Sequence, residues 1–162
     1  MTTPDQTSTL IETRVECETW QCIDCEAIAQ RCYAAVCAAE PEARALVSVL
    51  FTSDDTMRAL NSAYRDKPAP TNVLSFPAGD MVIAEGSFLG DIALGAQTCA
   101  REAREKAVAL EDHAAHLLIH GLLHLLGYDH EIPRDAELME ARERDILKGI
   151  GIADPYGDPL ET

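Results

Sequence analysis

A histidine-rich segment, His120 to His130, constrains this chain more than any other feature of its sequence. His120 and His124 are four residues apart, so a helix would place them one turn apart on the same face. Gly127 can adopt a positive φ and end that helix, which would let the chain double back and bring His130 towards the pair. Three imidazoles meeting at one point predict a zinc site with a fourth position for water.

The residue after the first histidine distinguishes this segment from that of a protease. The spacing H-x-x-x-H-x-x-G-x-x-H is typical of the metzincin metalloproteases, in which a Glu after the first His is the general base. Here that residue is Gly121, which has no side chain to accept a proton. The sequence therefore predicts a metallohydrolase of another kind. Two earlier histidines, His113 and His116, either support the site or are satisfied within the helix.

The length of 162 residues is enough for one domain with a buried core. We expect a disordered leader over residues 1–9, a single catalytic domain over 10–153 and a tail over 154–162. The N-terminus has neither the basic nor the apolar region of a secretory signal, and the longest charge-free run is too short to span a bilayer. We therefore expect a cytoplasmic protein that does not enter the membrane.

The cysteines allow two interpretations. Cys17, Cys22 and Cys25 match the C-x4-C-x2-C spacing of a plant-type iron–sulfur loop. However, Cys25 and Cys32 also fall on one apolar face of a predicted helix, together with Ile28, Ala29 and Val36. We favour the helix, in which cysteine packs as a small hydrophobic residue.

Apolar periodicity and turn residues predict four strands and about five helices. The strands are expected over 10–17, 45–52, 72–76 and 89–94, and the helices over 24–39, 53–65, 98–110, 111–127 and 134–148. Because these elements do not follow one βαβ rhythm, we expect an α+β fold with a small mixed four-stranded sheet. The histidine-bearing helix is apolar almost all round, so it should be central, as in a zincin-like fold.

Two further stretches accompany the histidine segment: Leu60–Arg65 running into Pro70–Pro77, and Leu89–Ile92. Together the three stretches resemble the YbeY family of endoribonucleases, the ribosomal RNA maturation factors of bacteria. The similarity extends from the second strand to the last helix. It implies a single-strand-specific, metal-dependent endoribonuclease that acts in 3′-end maturation of small-subunit ribosomal RNA and in ribosome quality control.

The same resemblance implies the main site residues. One Zn²⁺ per chain would be held by His120, His124 and His130. The functionally important arginine of the family falls on Arg65, which we expect to hold the scissile phosphate through charge-assisted hydrogen bonds. One departure is visible, because Asn72 stands where the family usually has Asp.

Three residues have supporting roles in this prediction, each with an alternative. Asp129 either orients a ligand imidazole or caps the turn after Gly127. His116 lies one turn before His120. Asp91 either supports the site from its strand or bonds to local backbone.

The formal net charge of −15 means that RNA binding requires a local basic patch. Lys67, Arg101 and Arg104 belong to the least acidic part of the chain, and we predict that they guide the backbone of single-stranded RNA. The alternative is a solvated helix face with pairs such as Arg101 and Glu105. The implied partners are single-stranded and ribosomal RNA, the small ribosomal subunit and its assembly factors, and neither membrane nor DNA.

Two other functions compete with the nuclease. One is a metallopeptidase whose base comes from another segment, which the missing Glu disfavours. The other is a non-catalytic ribosome-assembly factor with structural zinc, although structural zinc normally has four protein ligands and only three histidines are available here.

Overall fold

The computed structural model describes residues 10–66, 69–78, 88–128 and 132–155. Its strands are β1 (Ile11–Val15), β2 (Leu46–Thr52), β3 (Val73–Pro77) and β4 (Phe88–Gly95). Its helices are α1 (Cys25–Ala39), α2 (Asp54–Arg65), α3 (Ala96–Lys106), α4 (Leu110–Leu125) and α5 (Pro133–Gly149), with short 3₁₀ helices at Glu18–Cys22 and Pro41–Ala43.

The four strands form one mixed sheet in the order β1-β2-β4-β3. β1, β2 and β4 are parallel, and β3 runs antiparallel to β4 at the edge. Ser75 of β3 lies opposite Ile92 of β4, and Phe76 lies opposite Asp91. The α+β fold with a mixed four-stranded sheet is therefore confirmed.

Helix α4 packs on β3 and β4 of the sheet. It also contacts α1, α3 and α5, and α1 itself packs on β1. Most of its residues are buried, which explains why its sequence is apolar almost all round. Helix α2 covers the opposite face of the sheet, where Met57 packs with Leu74 and Ala93. The predicted central position of the histidine-bearing helix agrees with this arrangement.

Local capping signals correctly located two helix starts. The Asp24 carboxylate accepts a hydrogen bond from the Ala27 N–H at 3.1 Å, at the start of α1. The Ser53 hydroxyl accepts one from the Thr56 N–H at 3.3 Å, at the start of α2. Each bond satisfies a backbone donor that has no partner within its helix.

The end of α3 differs from the prediction, which extended this helix to residue 110. The helix ends at Lys106, because Ala107 adopts a left-handed conformation with φ 57°. The Ala107 N–H donates to the Arg104 carbonyl and the Val108 N–H donates to the Ala103 carbonyl. These two bonds form a Schellman motif, which normally uses glycine at this position. Because alanine occupies this position, no sequence signal marks the end of the helix here.

The cysteine-bearing face of α1 is buried as predicted. Cys25, Ile28, Ala29, Cys32 and Val36 all belong to the main core cluster. Burial raises the pKa of the Cys25 thiol to about 11, so the thiol stays protonated at neutral pH. All six cysteines are thiols, and four of them are buried.

Across the described residues, no helix is both long and apolar enough to cross a membrane.

Candidate metal centre

The His120 and His124 side chains lie together at the end of α4. Their ring centroids are 4.6 Å apart and the ring planes are inclined by 81°. The helix ends at Leu125, and Gly127, two residues later, has a φ of 102°. The Gly127 N–H bonds to the His124 carbonyl and the Tyr128 N–H bonds to the Leu123 carbonyl, each at 3.0 Å. This Schellman motif is the turn that the sequence predicts after the second histidine.

The third predicted ligand, His130, lies outside the described residues, as does Asp129. Within the described part of the chain, no group of three or more His, Cys, Asp or Glu side chains is arranged to hold a metal ion. The convergence of three histidines therefore remains a prediction.

A buried glutamate from α5 connects two of the α4 histidines. Glu143 is completely inaccessible to solvent, and its Oε1 accepts a hydrogen bond from Nδ1 of His120. Its Oε2 lies 3.7 Å from Nε2 of His116. A carboxylate is costly to bury unless polar partners compensate it, so this contact defines a specific arrangement of the three side chains.

The bond to Glu143 has a chemical consequence for His120. A neutral imidazole that donates from Nδ1 carries its lone pair on Nε2. Metal-binding histidines commonly donate their other ring N–H to a carboxylate, which fixes the ring and raises its basicity. The donor set therefore fits a metal bound through Nε2 of His120, with His124 one turn away on the same helix face.

Gly121 packs closely against the sheet. A Cβ atom at this position would lie 3.0 Å from Oγ of Ser75 and 3.2 Å from two side-chain carbons of Ile92. Residue 121 therefore faces the sheet, and a larger side chain there would require the Ser75 and Ile92 side chains to shift. This packing disfavours a glutamate at the position that metzincins use for their base.

Arg65 lies at the open edge of the sheet. Its Nη2 donates to the Ser75 carbonyl at 2.9 Å, and its guanidinium carbon is 5.9 Å from the centroid of the Phe76 ring. The Ser75 hydroxyl donates in turn to the Gly121 carbonyl at 3.4 Å. One residue of β3 thus connects Arg65 to the segment of α4 that carries His120.

A second buried histidine lies near the start of α4. Nε2 of His113 lies 2.9 Å from Oε1 of Glu102 on α3, and the Asn72 side-chain amide donates to the same oxygen at 3.0 Å. Burial lowers the pKa of His113, with partial opposition from its bond to Glu102. Burial alone would raise the pKa of Glu102, but the bonds from His113 and Asn72 outweigh it and lower that pKa. His113 therefore belongs to a structural cluster that joins α3, α4 and the residue before β3.

A third polar cluster holds the segment that follows α4. The Tyr128 hydroxyl donates to the carboxylate of Glu40 at 3.0 Å, and Arg142 pairs with the same carboxylate at 3.0 Å. The hydrogen bond to Tyr128, followed by the charge of Glu40, raises the pKa of Arg142. Glu40 is buried at the end of α1. This cluster fixes the chain one residue before the segment that contains His130.

The remaining predicted site residues are less directly connected to the histidines. Asp91 lies next to Ile92 in β4, so its side chain is on the face of the sheet opposite α4. The structure does not bring it to the histidine pair, which corrects the prediction of a supporting role. Burial raises the pKa of Asp91, and a hydrogen bond with Ser48 opposes this shift.

The predicted RNA-binding residues lie on α3 or outside the described residues. Arg101 forms an ion pair with Glu105 at 3.5 Å, which is the alternative considered from the sequence. Arg104 is exposed on the same helix. Lys67 lies outside the described residues. Helix α3 meets α4 through Glu102 and His113, about two turns before His120.

Sequence reasoning missed Glu143, although a signal was present. Glu143 lies four residues after Met139 and three before Ile146, and both neighbours are buried. It therefore occupies the apolar face of α5, where a carboxylate needs a partner. Its pairing with His120 joins residues 23 positions apart, which no local pattern could indicate.

Comparisons with known proteins agree with this architecture. The family model for endoribonuclease YbeY matches residues 11–151. An endoribonuclease YbeY of Erythrobacter litoralis is 48% identical over 89% of this chain and 96% of its own length. Another, of Dinoroseobacter shibae, is 41% identical over 96% of this chain and 95% of its own length. A third, of a Chelativorans species, is 53% identical over 70% of this chain and 71% of its own length.

A solved structure supports the fold alone. The solution structure of TM1509 from Thermotoga maritima superimposes with a TM-score of 0.57 and 21% sequence identity, covering 91% of this chain and 99% of that one. The mixed sheet and the buried helix with its histidine pair define an α+β protein with a candidate metal-binding helix. The chain belongs to the YbeY family of endoribonucleases.

Proposed function

We propose that this protein is a metal-dependent endoribonuclease that cleaves single-stranded RNA. Its role would be 3′-end maturation of small-subunit ribosomal RNA, and ribosome quality control, in the cytoplasm. The family match supports action on RNA. One observation supports metal-dependent chemistry most directly: the buried carboxylate of Glu143 forms a hydrogen bond with Nδ1 of His120, which lies one turn before His124.

The metal would be one Zn²⁺ held by His120, His124 and His130. When bound, zinc would polarise a phosphoryl oxygen and activate a water molecule, either as the nucleophile or as a base towards the ribose 2′-hydroxyl. Glu143 would keep the His120 ring in one orientation and one tautomer, with His116 beside the same carboxylate. Because residue 121 has no side chain, proton transfer must use other groups.

Arg65 would bind the scissile phosphate at the edge of β3. A guanidinium has five N–H donors, and one bond to the Ser75 carbonyl fixes its position while others remain available to phosphate oxygens. Such bonds strengthen as negative charge develops in the transition state. The link from Ser75 to Gly121 would hold Arg65 in register with the histidine pair.

Lys67, Arg101 and Arg104 would contact the RNA backbone further from the cleavage site. The partners of the protein would be the small ribosomal subunit and its assembly factors. The ion pair with Glu105 reduces what Arg101 can offer to RNA. Charge reversal at both Arg101 and Arg104 should weaken RNA binding at low salt and flatten its salt dependence. Unchanged affinity would remove these two residues from the set that contacts RNA.

Neither alternative function has comparable support. A peptidase would need a base to replace the metzincin glutamate, and the close packing of Gly121 against the Ser75 and Ile92 side chains disfavours one at that position. For a non-catalytic assembly factor, the names of the relatives offer no support, because they describe endoribonucleases.

One experiment separates these functions. Zinc-loaded protein would be incubated with unstructured RNA, precursor ribosomal RNA and a denatured protein substrate. His124→Ala is the matched control, since it removes one predicted ligand. We expect cleavage of both RNAs, no proteolysis, and loss of cleavage in His124→Ala. Proteolysis would support the peptidase, and inactivity towards all three substrates would support the assembly factor.

A further inference from the structure

Tyr64 projects from the last turn of α2 into solvent. At 70% exposure, it is the most exposed of the large hydrophobic side chains in the described residues. Its ring meets Phe76 of β3 edge to face, with centroids 5.4 Å apart and planes inclined by 63°. We call these two rings the aromatic ledge. The contact with Phe76 restrains the Tyr64 ring on one side, while most of the residue remains accessible to solvent.

Arg65 completes the same surface. Its guanidinium carbon is 5.9 Å from the centroid of Phe76, within the range of a cation–π contact. Its bond to the Ser75 carbonyl lies at the outer edge of the sheet. That carbonyl points away from β4, because the ladder bonds of this pair involve alternate residues, including Asn72 and Ala78. The ledge and the guanidinium therefore flank the open edge of β3.

The edge of β3 also connects the ledge to the candidate metal centre. Ser75 precedes Phe76, and its hydroxyl bonds to the carbonyl of Gly121 on α4. The residue before Gly121 is His120. A strand of RNA held at Arg65 would thus have the histidine helix on one side of β3 and the aromatic ledge on the other.

We propose that the aromatic ledge is a stacking site for an unpaired nucleobase of single-stranded RNA, next to a phosphate bound by Arg65. This inference rests on the proposed function and adds the base-binding part of the substrate site. Aromatic rings beside a cationic groove bind single strands in this way, and they tolerate any base because every base has a π face.

The ledge gives a physical reason for single-strand preference. A base in a duplex is stacked on both faces and paired at its edge, so it must be extracted before Tyr64 can contact it. An unpaired base has no such cost. The net charge of −15 makes base stacking more important, because a strongly acidic protein attracts the phosphate backbone of RNA only weakly.

The test is a double-mutant cycle between the protein and its ligand. Zinc-loaded wild type and Tyr64→Ala would be titrated with 2′-O-methyl RNA oligomers of about eight nucleotides, with bases or with abasic riboses throughout. We expect the wild type to prefer the base-containing oligomer by about tenfold or more, and Tyr64→Ala to lose most of that preference. Binding to the abasic oligomer should not change.

Two further variants distinguish stacking from a merely apolar contact. Tyr64→Phe keeps the ring and should keep the preference, whereas Tyr64→Leu keeps apolar volume and should lose it. Val15→Ala removes an exposed apolar side chain from the opposite edge strand and serves as the matched control. An equal preference in wild type and Tyr64→Ala would overturn the stacking site, and so would full preference in Tyr64→Leu.

Kinetics separate failure of this inference from failure of the proposed function. With cleavable RNA, Tyr64→Ala should raise KM by about tenfold with a smaller change in kcat, and its zinc content should be unchanged. If the wild type cleaves RNA but Tyr64→Ala has the same KM, the ledge is not a substrate site although the nuclease assignment stands. If the wild type does not cleave RNA, the nuclease assignment fails while the binding cycle still decides on the ledge.

Discussion

Asn72 donates a hydrogen bond from its side-chain amide to the carboxylate of Glu102 at 3.0 Å, and this contact joins the residue before β3 to α3. Oδ1 of the same asparagine accepts from the Val73 N–H at 2.7 Å. An aspartate at this position would have two acceptors and no donor, and it would place a second negative charge against Glu102. The amide of Asn72 therefore suits its neighbour better than a carboxylate would.

Replacement of Asn72 by Asp should destabilise the fold at neutral pH by about 1–3 kcal/mol, because a charged acceptor replaces a donor beside a partly buried carboxylate. Urea denaturation would measure the loss. Asn72→Ala removes the hydrogen bond without adding charge, so it should cost less. Equal stability of Asn72→Asp and the wild type would show that Glu102 does not depend on this amide.

Stability should fall as the solution is acidified, with His113 contributing first. Burial lowers the pKa of His113 below its ordinary value of 6.5, so the unfolded chain takes up this proton before the folded chain does. The stability contributed by neutral His113 is therefore present above about pH 6.5 and is lost below it. Glu102, whose pKa is lowered below the ordinary 4.5, adds a further loss as pH falls through its folded-state pKa.

The His113→Gln variant isolates this effect, because glutamine keeps an amide donor towards Glu102 but does not titrate. Urea midpoints measured from about pH 7.5 to about pH 5 should fall less steeply in the variant than in the wild type. Parallel curves would assign the pH dependence to other groups.

Glu143→Gln should weaken metal binding while leaving the fold intact. The amide keeps the size of the side chain, but it lacks the charge that holds the Nδ1 proton of His120. Loss of such a partner typically lowers metal affinity by about 10- to 100-fold. Competition with a chelator would measure the affinity, and thermal unfolding of the metal-free protein would report the fold.

The matched control for Glu143 is Glu137→Gln, an exposed glutamate on the same helix. It should bind metal like the wild type. If Glu143→Gln also binds like the wild type, Glu143 is only a buried structural carboxylate and not a positioning residue for His120.

Arg65→Ala should reduce kcat by about 10²-fold or more and leave zinc content unchanged, because it removes donors that act on charge developing in the transition state. Arg65→Lys should recover only part of the rate, since an ammonium group cannot form the same pair of parallel bonds. Arg58→Ala is the control, because Arg58 is exposed on the same helix and pairs with Asp55. RNA cleavage by Arg65→Ala at the wild-type rate would contradict the role.

Local sequence signals predicted the parts of the molecule that local forces determine. The capping residues Asp24 and Ser53 and the turn at Gly127 depend on neighbours within a few residues. The four strands were recognisable from their own apolar and β-branched composition. The helix end at Ala107 was missed because alanine adopts a left-handed conformation only when tertiary packing enforces it.

Long-range pairings were beyond such signals. Glu143 meets His120 across 23 residues, and Asn72 meets Glu102 across 30. Asp91 has the composition of a site residue, but its strand register directs it to the face opposite α4. Which face a strand residue occupies becomes clear only when the sheet is assembled.

The contact between Gly121 and the sheet has a further consequence for how new activities could arise in this fold. A single substitution to glutamate at this position would bring its carbon atoms against the side chains of Ser75 and Ile92, so these side chains would have to shift before the carboxylate could be accommodated. A change from one hydrolase chemistry to the other would therefore involve the packing of α4 on β3 and β4 as well as the residue that acts as the base.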